Sequence, residues 1–208
     1  MGLFGKKKTD TTDPNVAPEP LSEFYTALEE HAYQKLIPLI QALNPADKFV
    51  ALYTLVKDVT DRTISTMTDD KLYYEKAPES DGKNTELEKV LLHFAINDDE
   101  ATIRHTAAGG IQEHELLYQL ALLSPGYDDV DKELFRKRKI FTNVAELENL
   151  VLNAKYSGIK HEAVGELSDQ PALERIARNE SVDSATRIYA YRKLTDPDVK
   201  AELKSLDV

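Results

Sequence analysis

From Leu21 onward the apolar positions of this chain fall three and four residues apart. Leu21, Phe24, Tyr25, Leu28, Ala32, Leu36, Leu39 and Ile40 keep that spacing, which marks one face of an α-helix. Pro38 lies inside the run and is expected to kink this first helix or end its first half. Asn44-Pro45 then offers a cap followed by proline at the first helical position, leading into Phe49, Val50, Leu52, Tyr53, Val56 and Val59. Pro78 and Asp81-Gly82 break the pattern across residues 68–84, the longest irregular insert in the body. Thr85 opens the next helix, with Glu88 three residues on in a capping-box pattern, and Leu87, Val90, Leu91, Phe94 and Ala95 supply its stripe. Nothing in the body alternates at period two for long enough to predict a sheet, so the expected fold class is all-α.

A stretch of this pattern recurs. Ile103–Ala121 reads IRHTAAGGIQEHELLYQLA and Ile159–Ala177 reads IKHEAVGELSDQPALERIA, aligned without a gap. Ile103/Ile159, His105/His161, Ala107/Ala163, Gly109/Gly165, Leu117/Leu173 and Ala121/Ala177 coincide. A shorter copy from Thr186 places Arg187 on Lys160, Ala190 on Ala163, Leu194 on Leu167 and Asp196 on Asp169. The starts lie 159 − 103 = 56 and 186 − 159 = 27 residues apart, so a degenerate unit is expected between the first two, over Val130 to Ala154. Repeats of this length indicate stacked supersecondary units. Ser168-Asp169-Gln170-Pro171 and Thr195-Asp196-Pro197 each place a cap before a proline, Ser124-Pro125-Gly126 reads as a stop, and Asn143 with Glu146 as a start.

Composition narrows the function. The 208 residues carry a formal net charge of −11, which argues against the chain as a whole following phosphates, since nucleic-acid binding rests on Lys and Arg displacing counterions. An acidic body favours basic partners. With no cysteine, disulfides, thiolate metal sites and cysteine nucleophiles are excluded. No apolar run approaches the roughly 20 residues that span a bilayer, and the N-terminus lacks a secretory h-region; a cytoplasmic location is the default expectation. The opening MGLFGKKK departs from the myristoylation pattern at Lys6, so residues 1–20, with Lys6–Lys8 and Pro14, Pro18 and Pro20, read as a flexible leader rather than a membrane anchor. Residues 21–208 are expected to form one helical-repeat domain, its repeats clearest over 85–208.

The Asp/Asn-rich turn, the cation early in the first helix, the mid-helix alanine and the closing Leu-x-Asp turn resemble HEAT-like α-solenoids. Here these are Asp98-Asp99 with Arg104, Ala107 and Ile111; Lys160, Ala163, Leu167 and Asp169; and Asp183 with Arg187, Ala190, Leu194 and Asp196. The resemblance implies a right-handed stack of antiparallel helix pairs and a habit of binding macromolecules. It does not imply a reaction.

Gly109, Gly110 and Gly165 inside helices read as close packing between units. His105 and His161, equivalent in different copies, do not share a metal site; no metal or cofactor motif is present. Arg104, Lys160 and Arg187 read as cations paired with neighbouring turns. Arg136, Lys137, Arg138 and Lys139 offer an anion or nucleic-acid contact, against a solvated face balancing Asp128, Asp129, Asp131 and Glu133. The leading expectation is a non-enzymatic scaffold or adaptor that binds another protein on the exposed face of its second helices, at Tyr118, Gln119, Glu148, Glu174, Arg175 and Arg178. The alternative is a DNA-binding protein or an enzyme similar to the HEAT-like alkylpurine DNA glycosylases, against which stand the acidic charge and the absence of tryptophan. The HEAT-like chromophore lyases have similar repeats, but nothing in the sequence marks a pigment site.

Overall fold

The computed structural model describes residues 20–64, 83–124, 126 and 141–204. The basic leader, most of the 68–84 insert and the Arg136–Lys139 run lie outside these residues. Among the described residues the chain is all-helical, with eleven α-helices and one short 3-10 turn. They are α1 (Pro20–Glu29), the 3-10 turn Tyr33–Lys35, α2 (Leu36–Gln41), α3 (Pro45–Ile64), α4 (Lys83–Asn97), α5 (Ala101–Gly110), α6 (His114–Leu123), α7 (Val144–Asn153), α8 (Ser157–Glu166), α9 (Gln170–Arg178), α10 (Ser184–Lys193) and α11 (Pro197–Lys204). None of them is long and apolar enough to cross a membrane.

Short polar caps set many of these boundaries. The side-chain oxygens of Asn143, Asp169 and Asp183 accept backbone N–H bonds at the starts of α7, α9 and α10, which satisfies donors the helix leaves open. Asn44 accepts from the Asp47 amide at 3.0 Å, and Pro45 is the first residue of α3 as its position predicts. Two expectations fail. The first helical run breaks at His31, whose backbone is left-handed at φ 57°, and Pro38 sits without harm in the first turn of α2, where its missing N–H has no intrahelical partner to lose. Glu88 does not close a capping box at the start of α4, because that helix begins at Lys83. Its buried carboxylate instead accepts from the amides of Gln112 and Glu113, both at 2.8 Å, and so caps α6 from the neighbouring helix.

Neighbours and next-neighbours in the chain pack together. Helix α3 touches α4 and α5, and α4 touches α5 and α6; further on, α7 touches α8 and α9, α9 touches α10 and α11, and α8 touches α10. Helices α6 and α7 also meet. One register runs through this packing. Lys48, Arg104, Lys160 and Arg187 each hold the fourth position of α3, α5, α8 and α10. An alanine follows three residues later (Ala51, Ala107, Ala163, Ala190) and an aliphatic residue seven later (Leu55, Ile111, Leu167, Leu194), every one of them buried. Small residues at a helix contact let the backbones approach, and the longer aliphatics one turn on fill the space beside them.

Glycine extends this close approach at one point. A Cβ on Gly110 would stand 2.6 Å from Val56 Cγ2 of α3 and 2.7 Å from Leu91 Cδ1 of α4, so α5 wedges between them where no larger residue fits. Gly126 is required for a second reason: its φ of +97° is open to glycine and strained for other residues.

Candidate partner-binding surface

The six positions expected to meet a partner lie on α6, α7 and α9, and the structure shows what each of them touches. Arg175 Nε donates to Glu148 Oε1 at 2.7 Å and Arg175 Nη2 donates to Glu148 Oε2 at 2.8 Å, a two-pronged bond from α9 to α7. Arg178 Nε donates to Glu174 Oε1 within α9 at 2.9 Å. Its Nη1 and Nη2 reach both carboxylate oxygens of Glu202 on α11, at 2.9 and 3.0 Å. The flat guanidinium fork matches a carboxylate edge, which fixes geometry as well as charge. Four of the six residues therefore form clasps that join α7, α9 and α11.

The electrostatics follow the geometry. Hydrogen bonding from Arg175 holds the Glu148 carboxyl below its ordinary range, with burial opposing it. Arg178 does the same to Glu202, while Glu202 and then Glu174 push the Arg178 guanidinium further up. The ionised forms of Glu148, Glu202 and Arg178 are favoured.

Tyr118 and Gln119 on α6 continue the surface with uncharged contacts. Asn149 Nδ2 of α7 donates to the Tyr118 hydroxyl, and Asn153 donates on to Asn149. The Phe141 ring meets Tyr118 at 6.0 Å and His114 at 5.9 Å between centroids, while His114 Nε2 lies 2.9 Å from Glu146 Oε1. Gln119 Nε2 donates to Glu115 Oε1 at 3.2 Å, one turn back on α6. The result is a chain of paired groups from α6 through α7 and α9 to α11.

Several members of that chain were not placed on this surface from sequence: His114, Phe141, Glu146, Asn149 and Glu202. A signal did exist. Glu148 and Arg175 are 27 residues apart and Arg178 and Glu202 are 24 apart, close to the 27-residue spacing of two copies. Opposite charges at about that separation here lie on helices that pack together.

Two early cations, Arg104 of α5 and Lys48 of α3, reach the turn before α5, the first through backbone carbonyls and the second through a carboxylate. Arg104 is buried and its Nη1 donates to the carbonyls of Asp98 and Asp99 at 3.1 and 2.8 Å. Lys48 Nζ donates to Asp98 Oδ2 at 2.9 Å. Burial pushes the Asp183 carboxyl up, but the Thr186 amide and hydroxyl, His161 and Lys160 outweigh it and leave it below its ordinary range. His161 stacks obliquely on Tyr189 at 5.7 Å.

Among the described residues no group of three or more His, Asp or Glu is placed to hold a metal ion. An open groove of about 700 Å³ between α1 and α2, with Glu23, Glu30 and Lys35 on its walls, brings no convergent set of reactive groups together. No family model, curated protein or solved structure matches this chain.

Proposed function

We propose that the chain is a non-enzymatic protein-interaction scaffold, built as a HEAT-like stack of antiparallel helix pairs. The observation that carries this reading is the line of clasps from α7 through α9 to α11. It fixes side chains on successive helices relative to one another before any partner arrives, and a surface ordered in advance loses less entropy on binding. The repeated Lys/Arg, Ala and aliphatic register of α3, α5, α8 and α10 supports the stack, since each helix pair of a solenoid leaves one face exposed beside its neighbour's. Tyr118 is the natural anchor on this surface, being large and held by Asn149. Cytoplasmic location belongs to the same reading.

The DNA-binding alternative gains no support from this surface. Arg175 and Arg178 are neutralised by Glu148, Glu174 and Glu202 and offer little net charge to phosphates. The test is capture of partners from the source lysate by the full chain, followed by chemical cross-linking. Cross-links on α6, α7 and α9, with loss of capture on Gln119→Arg, are expected. No partner above background, or release of bases from alkylated DNA by the purified protein, overturns the reading.

A further inference from the structure

The groove of about 700 Å³ between α1 and α2 is bounded by the bend at which one helix gives way to the other. His31 takes a left-handed backbone there, and its Nδ1 lies 3.0 Å from the Tyr33 hydroxyl. Ala27, Pro38 and Leu39 give the groove its apolar surface, while Glu23, Glu30 and Lys35 stand on its walls. Pro38 is exposed and Leu39 half-buried, so part of this apolar surface is open to water.

The wall carries unbalanced charge. Glu23 and Glu30 are seven residues apart, two turns along one side of α1, and neither carboxylate has an ion-pair or hydrogen-bond partner among the described residues. Glu148, Glu174 and Glu202, by contrast, are each bound to an arginine. A cationic segment with apolar residues beside its charges would complement both properties of the groove.

The chain itself contains such a segment, tied to the groove's edge. Residues 3–8 read LFGKKK, an apolar pair followed by three lysines. The carboxylates of the leader, Asp10, Asp13 and Glu19, all fall in the eleven residues 9–19 that join this segment to Pro20, the first residue of α1. A flexible connection of that length spans about 20 Å, comparable to the run of about 12 Å along α1 from Ser22 to Glu30. A tether matched to its span holds its end at an effective concentration in the millimolar range. A second copy would bring a chain of net charge −11 against the same carboxylates, and like charges oppose that association.

We propose that residues 3–8 dock in the α1–α2 groove of their own chain, with Leu3 and Phe4 on Ala27, Pro38 and Leu39 and with the lysine ammonium groups on Glu23 and Glu30. So docked, the leader excludes other basic segments from the groove. The inference is independent of the scaffold reading, since α6, α7 and α9 do not line this groove.

The natural chain has no cysteine, so disulfide trapping reads the contact without background. In the full chain Gly5→Cys is paired either with Thr26→Cys, which lines the groove, or with Tyr25→Cys, one residue away on α1 and outside it. Under oxidised glutathione the Thr26 pair is expected to close within the monomer about tenfold faster than the Tyr25 pair. Lys6→Gln with Lys7→Gln and Lys8→Gln should bring the two rates within about twofold, as should Glu23→Gln with Glu30→Gln. Leu3→Ala with Phe4→Ala should slow the Thr26 pair about threefold. A synthetic peptide of residues 1–13 added in excess should slow it too, and a scramble of that peptide should not.

Equal rates for the two pairs, no response to the lysine substitutions, closure only between molecules, or equal competition by the scramble overturns the proposal. The lysine substitutions change the occupant and leave the groove's own residues in place, so they decide the matter even if the Glu23 and Glu30 variant loses stability.

Discussion

Two sets of helix contacts in this protein are held by different forces. Helices α7, α9 and α11 are joined at their surface by charged clasps, Arg175 to Glu148 and Arg178 to Glu202. The α3 and α5 pair is held by close packing, with Gly110 against Val56 and Leu91 and with Ala51 and Ala107 buried. Solvent weakens an exposed ion pair, whereas a tightly filled contact has no slack. The clasped side should therefore tolerate change that the packed side does not.

The largest expected effect is on the packed side. Gly110→Val forces methyl groups into Val56 and Leu91 and should destabilise the protein by about 3 kcal/mol, measured by urea unfolding. Next comes Glu88→Ala, which removes the acceptor for two amides at the start of α6 and should cost about 2 kcal/mol. Glu88→Gln keeps one acceptor oxygen and should recover part of that loss. On the clasped side, Tyr118→Phe removes the acceptor for Asn149 and should cost about 1 kcal/mol.

The smallest effect is expected for Arg175→Met, because the guanidinium is open to solvent. Its distinguishing mark is its dependence on pH. The Glu148 carboxyl is held below its ordinary value in the folded protein. Its contribution is complete above the unfolded glutamate range, about pH 4.3, and is lost as pH falls through the lower folded value. The unfolding free energies of wild type and Arg175→Met should thus differ at pH 7 and converge toward pH 3. If Arg175→Met destabilises more than Gly110→Val, the contrast between the two sides is wrong.

The helical class and most helix starts could be read from the chain because they depend on local chemistry: three- and four-residue spacing, Asn and Asp caps, prolines at first positions. The copies at Ile103 and Ile159 were visible because several residue types coincide at once. The matching register on α3 was hidden. It retains Lys48, Ala51 and Leu55, but Asp47, Phe49 and Tyr53 stand where the clear copies have Ile, His and Gly. The departures at Phe49 and Tyr53 are both exposed to solvent.

The surface of α6, α7 and α9 was legible in part. Of the six expected residues Arg175 is exposed and the others are half-buried, and Glu148, Glu174, Arg175 and Arg178 are held in separate charged pairs. Spacing within a helix carries no information about which charge on the next helix lies opposite, so the clasps themselves were not foreseen. Glu88 shows the same limit. Three residues after Thr85 it has the local pattern of a capping box, and burial against α6 gives it a different set of amides.

The Arg178 to Glu202 clasp has a consequence for how the molecule comes apart. Helix α11 has eight residues, too few to persist alone in water, and it is held by buried Leu203, by half-buried Val199, by Lys200 on the Arg192 carbonyl and the Tyr191 ring, and by this fork of hydrogen bonds to α9. Amides of α11 should therefore exchange with solvent sooner than those of α9, whose Leu173, Ile176 and Ala177 are buried.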